Sequence, residues 1–287
     1  MKSIILCPNA DRDIDFKVSR VVGEMLEKRG RRIVFCPIFD DDQAVKTKLP
    51  GRKTSELEDE ITSAEMVITF GGDGTILRVA RAASGPGVPV LGINLGGMGF
   101  MAELEVGEIE KIDSVATGNY GLESRMMLDA EVIRDNQQIY SDCALNDVVI
   151  RGDNKVIDLT LFGDSQRISH FSGDGAVIAT PTGSTAYSMA AGGPIVEPSA
   201  HNIIVTPICA HVLETKSFVL VSDRCVSVEI GQKKHNPAYI SVDGGEHKII
   251  LGGDIVNVHK SAGSTRLVRL SDRSFYRKVS EKLGNKD

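Results

Sequence analysis

Five short stretches gather glycine, hydroxyl and acidic residues in patterns that phosphate or sugar chemistry needs. The first is GGDGT, Gly71, Gly72, Asp73, Gly74 and Thr75, set between the apolar run MVITF and the segment ILRVARAAS. Small residues at a strand end let a phosphate approach backbone N–H groups, and the start of the following helix adds a favourable dipole. Gly-Gly-Asp-Gly is equally ordinary chemistry for a tight turn. Asp73 sharpens the question, because a carboxylate in the middle of a phosphate cradle repels the anion the cradle attracts. The second stretch is NLGGMGF, residues 94–100, a loop rich in Gly96, Gly97 and Gly99. It reads either as a partner to the first loop or as a hinge between domains.

The third stretch, SGDGAVIATPTGSTAYSMAAGGP, covers residues 172–194. A β-run leads through Thr180-Pro181-Thr182-Gly183 into a helix over about 184–192, begun by Ser184, Thr185, Ala186 and Tyr187. Hydroxyls and free N–H groups at a helix start suit a ribose or a phosphate, and Tyr187 offers a ring face for stacking. The same residues also read as a capped helix filling the end of a sandwich. The fourth and fifth stretches are LNDVVI, with Asn146 and Asp147, and SVDGGE, with Asp243 before Gly244 and Gly245. Each alone reads as a turn.

Two familiar phosphate motifs are excluded. A Rossmann fingerprint starting at Gly72 needs glycine at position 77, which is Leu77, and the first strand-to-helix turn, CPNADRD, has no glycine. No GxxxxGK[ST] occurs, so the chain is not a Walker-type NTPase. A net charge of -6 argues against nucleic acid as a partner, while leaving room for a small phosphorylated ligand held by local N–H groups. The five cysteines form no CxxC pair and no zinc spacing, which predicts buried free thiols in a reducing compartment. The short apolar run before Pro8 is no signal segment, and no run approaches the ~18–20 residues of a membrane span. The expectation is a soluble, cytoplasmic protein with no membrane partner.

The elements that must position these groups change character along the chain. KSIIL, RIVFC, MVITF and VPVLGIN read as strands. Between them, DFKVSRVVGEMLEKRG puts Phe16, Val21, Val22, Met25 and Leu26 on one helical face, Thr54 is placed to cap a helix carrying Glu58 and Glu60, and the segment after GGDGT turns Ile76, Ala80 and Ala83 inward. Alternating strands and helices predict a doubly wound, mainly parallel α/β domain over residues 1–100. From about residue 125 the chain turns into repeated β-runs with period-two alternation, from RMMLDAEVI to TRLVRL. These predict an all-β, sandwich-like C-terminal domain, with limits 101–270. The tail, 271–287, reads as a closing helix packed back on the first domain.

Taken in order, GGDGT, the Asn-acid pair of LNDVVI, TPTGSTAY followed by AAGGP, and the late Asp-Gly turn resemble the bacterial NAD kinases over essentially the whole chain. GGDGT alone is shared with lipid kinases of the diacylglycerol and sphingosine type; TPTGSTAY with AAGGP is much more specific. The resemblance implies an α/β domain joined to a β-sandwich domain, assembled as a homodimer or homotetramer. It implies transfer of a phosphoryl group from ATP (polyphosphate in some members) to the adenosine-ribose 2′-hydroxyl of NAD, with a divalent cation, usually Mg2+. By motif, Asp73 matches the catalytic aspartate, with Gly74 and Arg78 in the same loop and helix start and Gly71, Gly72 and Thr75 completing the phosphate loop. Asn146 and Asp147 match the pair that holds the nicotinamide-side ribose or the adenine. Asp174 matches an aspartate that reaches a neighbouring subunit's ligand in oligomeric members. Thr185, Ala186, Tyr187, Ser188 and Ala190 match the segment around the dinucleotide, and Asp158, Cys209 and Gly245 match peripheral contacts. The metal ligands are not identified.

The chain departs from the pattern in places. The pair is Asn-Asp where Asn-Glu is frequent, which shortens the reach by one methylene, and Gly245 removes an amide side chain from the late turn. The resemblance also answers the question posed by Asp73. A sugar hydroxyl is a poor nucleophile at neutral pH, and a carboxylate within about 2.6–3.2 Å takes its proton as it attacks phosphorus. Two rivals remain at this level: a lipid kinase, and a dinucleotide-binding regulator without catalysis.

Overall fold

The computed structural model describes residues 2–38, 54–97, 99–211, 216–231, 237–271 and 275–284. The chain divides into two compact units, Met1–Ser124 with Ser264–Asp287, and Arg125–Gly263.

The first unit begins with β1 (Ser3–Pro8), α1 (Lys17–Lys28), β2 (Arg32–Phe35) and the single turn α2 (Leu57–Glu60). It continues with β3 (Ala64–Gly71), α3 (Asp73–Ser84), β4 (Val90–Asn94), β5 (Leu104–Glu105) and the turn α4 (Asp113–Ala116). The strands lie in the order β4-β3-β1-β2, with β5 on β4, and all these pairs are parallel. Every residue of β1 and β4 is buried. That is the signature of a parallel sheet covered on both faces, and it explains why these strands read as unbroken apolar runs. Ile4, Leu6, Ile68, Phe70, Leu91 and Ile93 form the core with Val22 and Leu26 of α1 and Ile112 and Val115 from the segment after β5. The pattern change near residue 100 thus precedes the end of the first unit at Ser124.

Two helix readings change. Val21 is 45% exposed, because α1 turns Ser19, Val22, Gly23 and Leu26 inward instead. The cap before α2 is Glu56, not Thr54, whose backbone bridges to Phe35. Asp13 holds the first turn of α1, accepting the N–H groups of Val18 at 2.9 Å and Ser19 at 3.0 Å.

The second unit is built from β6 (Gly121–Arg134, which starts in the first unit), β7 (Gln137–Ala144), β8 (Asp147–Gly152), β9 (Ile157–Gly163), β10 (Gln166–Gly173) and β11 (Gly175–Ala179). The turn α5 (Tyr187–Ala190) and strands β12 (Asn202–Ile208), β13 (Phe218–Val221), β14 (Val226–Ile230), β15 (Ala238–Val242), β16 (Lys248–Ile250) and β17 (Ile255–Arg269) follow. One antiparallel sheet has the order β13-β12-β11-β8-β15-β16. The other joins β10, β9, β14 and the start of β17, and β6 pairs with β7. Leu159, Leu161, Val226 and Val228 of one sheet share a core with Ile150, Ile178, Ile203, Val205 and Ile240 of the other, as a sandwich requires.

The expected helix over 184–192 is instead a 3-10 turn, Gly183–Thr185, and the single turn α5, broken at Ala186 (φ -105°, ψ -126°). DIVNVHK and TRLVRL, read as two runs, form the one strand β17. Its last residues belong to the first unit, where Leu267 pairs in parallel with Val90. The closing α6 (Phe275–Leu283) also belongs there. All five cysteines are free thiols, but only Cys7 and Cys36 are buried, and Cys209 is exposed. No helix among the described residues is long and apolar enough to cross a membrane.

Candidate functional site

In the first unit, β3 ends at Gly71, Gly72 is extended, and Asp73 opens α3. The Asp73 carboxylate is clamped by a loop distant in sequence. Phe100 N–H donates to Oδ2 at 2.7 Å and Met101 N–H to Oδ1 at 3.1 Å. A carboxylate offers about four acceptor positions, so capacity remains for a ligand proton or a cation. The glycines divide into two kinds. A Cβ on Gly71 would run into the Thr75 hydroxyl, and one on Gly99 would lie 2.5 Å from Asp73 Oδ1, so the fold itself excludes side chains there. A Cβ on Gly72 or Gly74 would meet nothing within 4 Å, which leaves that face of the turn open to a ligand.

The turn is braced from behind. Asn9 is buried; its side-chain N–H donates to Thr75 Oγ1 at 3.4 Å and its backbone N–H to Phe70 O at 2.9 Å. Leu95 N–H donates to Gly71 O at 3.0 Å, and Asn94 donates to Glu105 at 2.9 Å and 3.1 Å. The loop after β4 therefore lies against the GGDGT turn inside one unit. Arg78 is exposed on α3.

In the second unit, Asp243 organises the Asn-Asp pair. Its carboxylate accepts the N–H groups of Leu145 at 2.7 Å, Asn146 at 2.7 Å and Asp147 at 3.1 Å. It sits at positive φ (50°) in the turn that Gly245 N–H closes onto Val242 O at 2.8 Å. Thr180 locks the facing strand to the same peptides, its N–H to Asn146 O at 2.9 Å and its hydroxyl to Leu145 O at 2.6 Å. Gly183 packs so tightly on the Asn146 carbonyl that any Cβ would clash. The buried Arg125 donates to Thr182 Oγ1 at 3.2 Å, fixing the segment that follows.

Asp147 is only 5% exposed. Burial and, secondarily, the charge of Asp243 push its carboxyl up to about 7, against a backbone N–H bond from Tyr187. Burial raises Asp243 too, but three amide donors oppose it. Burial thus pushes both carboxyls of the pair upward, and the three amides offset part of that push at Asp243.

The chain matches known proteins in sequence and in fold. The ATP-NAD kinase N-terminal domain matches residues 10–120, and the ATP-NAD kinase C-terminal domain matches residues 145–270. The NAD kinase of Heliobacterium modesticaldum is 39% identical over 286 residues, covering 99% of both chains. This chain belongs to the ATP-NAD kinase family. The NAD kinase of Ruminiclostridium cellulolyticum is 35% identical, covering 99% of this chain and 98% of its own. Among solved structures, yeast NADH kinase complexed with NADH superposes with a TM-score of 0.86 at 25% identity, over 100% of this chain and 89% of its own. An NAD kinase from Archaeoglobus fulgidus in complex with ATP shares the fold, with a TM-score of 0.73 at 23% identity over 99% and 98%.

Within this family member, the other positions singled out from sequence fall into groups. Thr185, Ala186 and Tyr187 are half-buried beside the Asn146–Asp147 peptides, and Ala190 is exposed. Ser188 is fully buried, with its hydroxyl at 3.0 Å from Thr206 Oγ1, so it braces the α5 turn from inside. Asp158 accepts the Ser172 hydroxyl between β9 and β10. Asp174 N–H donates to Ile208 O at 3.0 Å, next to the exposed Cys209. Asp174 O accepts Gly152 N–H, whereas Asp147, at the other end of β8, pairs with Ala179. At ~3.3 Å per residue that separation is roughly 16 Å. The chain does not bring Asp174 to the Asn146–Asp147 group.

Sequence reading missed Asn9 and Arg125, named Thr180 without a role, and took Asp243 as a turn and as part of the late Asp-Gly element. The Asp-Gly step of SVDGG was the one available signal for Asp243. The Phe100 and Met101 donors are backbone groups and leave no trace in residue type.

Proposed function

We propose that this chain is an NAD kinase that transfers the terminal phosphoryl group of ATP to the adenosine-ribose 2′-hydroxyl of NAD, producing NADP and ADP. The observation that carries the reading is the Asp73 carboxylate, held by two amides in a turn whose outer face is open at Gly72 and Gly74. Asp73 accepts the 2′-hydroxyl proton as that oxygen bonds to the γ-phosphorus and the bond to the β-phosphate oxygen breaks. General-base help of this kind contributes ~10²–10⁴-fold. Positioning and neutralisation of phosphate charge supply most of the rest, because the phosphoryl transition state is loose.

The donor set fits a divalent cation that arrives with ATP. Mg2+ takes one or two carboxylates beside substrate phosphates and water. No group of three or more His, Cys, Asp or Glu stands ready for a metal among the described residues, and Asp73 keeps acceptor capacity. Asp73 would hold the ion, which supplies charge neutralisation on the phosphates.

Asn146, Asp147, Thr185, Ala186 and Tyr187 bind the dinucleotide. The Asp147 carboxyl, pushed up to about 7, accepts from a ribose diol and in its protonated form also donates to it, while the Tyr187 ring stacks on a base. Asp158, Asp174, Cys209 and Gly245 make peripheral contacts. Asp174 serves the ligand of a neighbouring subunit, so a cytoplasmic homodimer or homotetramer is part of this reading.

The test is NADP+ formation from NAD, read by an NADP-specific dehydrogenase, with ATP and then with polyphosphate as donor in the presence of Mg2+. NADP+ from ATP is expected. Calorimetric NAD binding with no turnover would instead make the protein a dinucleotide-binding regulator.

A further inference from the structure

The loop that clamps Asp73 is itself held by cations from the far end of the chain. Lys278 Nζ of α6 donates to Phe100 O at 3.3 Å and to Ala102 O at 3.0 Å. Between them, Arg269 Nη1 donates to Met101 O at 3.2 Å. Three successive carbonyls thus face positive charge, while the N–H groups of Phe100 and Met101 face the carboxylate. One peptide unit joins the two sides directly. Phe100 O, which accepts from Lys278, and Met101 N–H, which donates to Asp73 Oδ1, belong to the same amide.

We propose that Lys278 is a positioning residue for the phosphoryl transfer, acting on Asp73 through the Phe100–Met101 peptide. An ammonium on the carbonyl polarises the amide, and a polarised amide donates more strongly, so hydrogen bonds in a chain reinforce one another. The result is a carboxylate held in one orientation by a strengthened donor. This inference rests on the reading of Asp73 as the base.

The other cation bonded to this loop is engaged by carboxylates as well. Arg269 is shared with Glu103 at 3.2 Å and Glu123 at 2.5 Å. The buried Glu103 also accepts Leu270 N–H, Ser271 N–H and the Ser271 hydroxyl, pinning the end of β17. Lys278 Nζ is bonded to the carbonyl of the amide that donates to Asp73 Oδ1.

The experiment compares wild type, Lys278→Met, Lys278→Arg and the neighbouring control Arg277→Met, whose side chain pairs with exposed Glu281. In Lys278→Met, kcat is expected to fall at least about tenfold, a part of the ~10²–10⁴ owed to a general base. KM for NAD should stay within about twofold. Lys278→Arg should recover most of kcat, and Arg277→Met should match wild type. A kcat loss that follows lowered thermal stability, with KM raised alongside and no rescue by arginine, would reduce Lys278 to a structural contact and overturn the proposal.

A second readout does not depend on the reaction. The Met101 amide proton, followed by proton–nitrogen-15 NMR, should move upfield in Lys278→Met and return in Lys278→Arg, because a less polarised amide donates more weakly. An unchanged Met101 amide signal rejects the relay, whatever the enzyme's activity. A moved signal without NADP+ formation would keep the relay and reject the kinase reading.

Discussion

Two aspartates in this molecule hold peptide loops by the same means and to different ends. Asp243 spends its carboxylate on three amides of the 145–147 segment, at 2.7, 2.7 and 3.1 Å. Asp73 spends its own on two, at 2.7 and 3.1 Å, in a turn with an open face. The first is architectural: its charge is consumed in fixing the 145–147 peptides. The second is fixed but not saturated, and in the proposed reaction that remainder takes the proton. The contrast teaches that a clamped carboxylate is not by itself a catalytic one; what counts is the acceptor capacity left over and the free space in front of it.

The comparison breaks most sharply at Asp73. Asp73→Asn should keep wild-type circular dichroism and lose ~10²–10⁴-fold in kcat; near-normal turnover would remove the distinction between the two residues. Next comes Asp243→Ala, which orphans three buried N–H groups. At ~1–3 kcal/mol for each unsatisfied donor, stability should drop by about 3–9 kcal/mol, read as a lowered urea midpoint. A loss under about 1 kcal/mol would mean that Asp243 does not organise its loop.

Gly99→Ala tests whether the Asp73 clamp tolerates displacement. Its methyl would sit 2.5 Å from Asp73 Oδ1. Misplacement of about 1 Å costs ~10²-fold, so kcat should fall by up to that factor with little change in thermal stability. The smallest effect is electrostatic. Asp147 keeps its proton up to about 7 when folded, against an ordinary 3.8. Between those values the folded state binds more protons than the unfolded, so stability falls as pH rises through that window and levels off above it. Asp147→Asn should flatten that slope in chemical-denaturation curves taken from pH 4 to 8; an unchanged slope would place the titration elsewhere.

How much of this the sequence disclosed depends on the range of the interaction. β1, β3 and β4 were legible because strands buried on both faces are continuous apolar runs. β10 was not, since of its residues only Phe171 and Gly173 are buried. The α5 region misled because Ser184, Thr185 and Tyr187 look like a helix start, while Ala186 leaves helical geometry between two short turns. Asp73 was visible as an anomaly of chemistry, a negative charge among phosphate-seeking glycines. The role of Asp243 was hidden because its partners lie 96 to 98 residues away, beyond any local spacing rule. Asn9 was set aside with its glycine-free turn; its bond to Thr75 spans 66 residues.

The first unit is assembled from both ends of the chain, Met1–Ser124 and Ser264–Asp287, with the whole of Arg125–Gly263 made in between. During synthesis at ~5–20 residues per second, the opening segment waits roughly 7–28 s for its closing one. The uninterrupted sandwich has no such delay. A ribosome-bound nascent chain should therefore acquire its β-sandwich first, and the setting of Asp73 should be completed only after Ser264–Asp287 has been made.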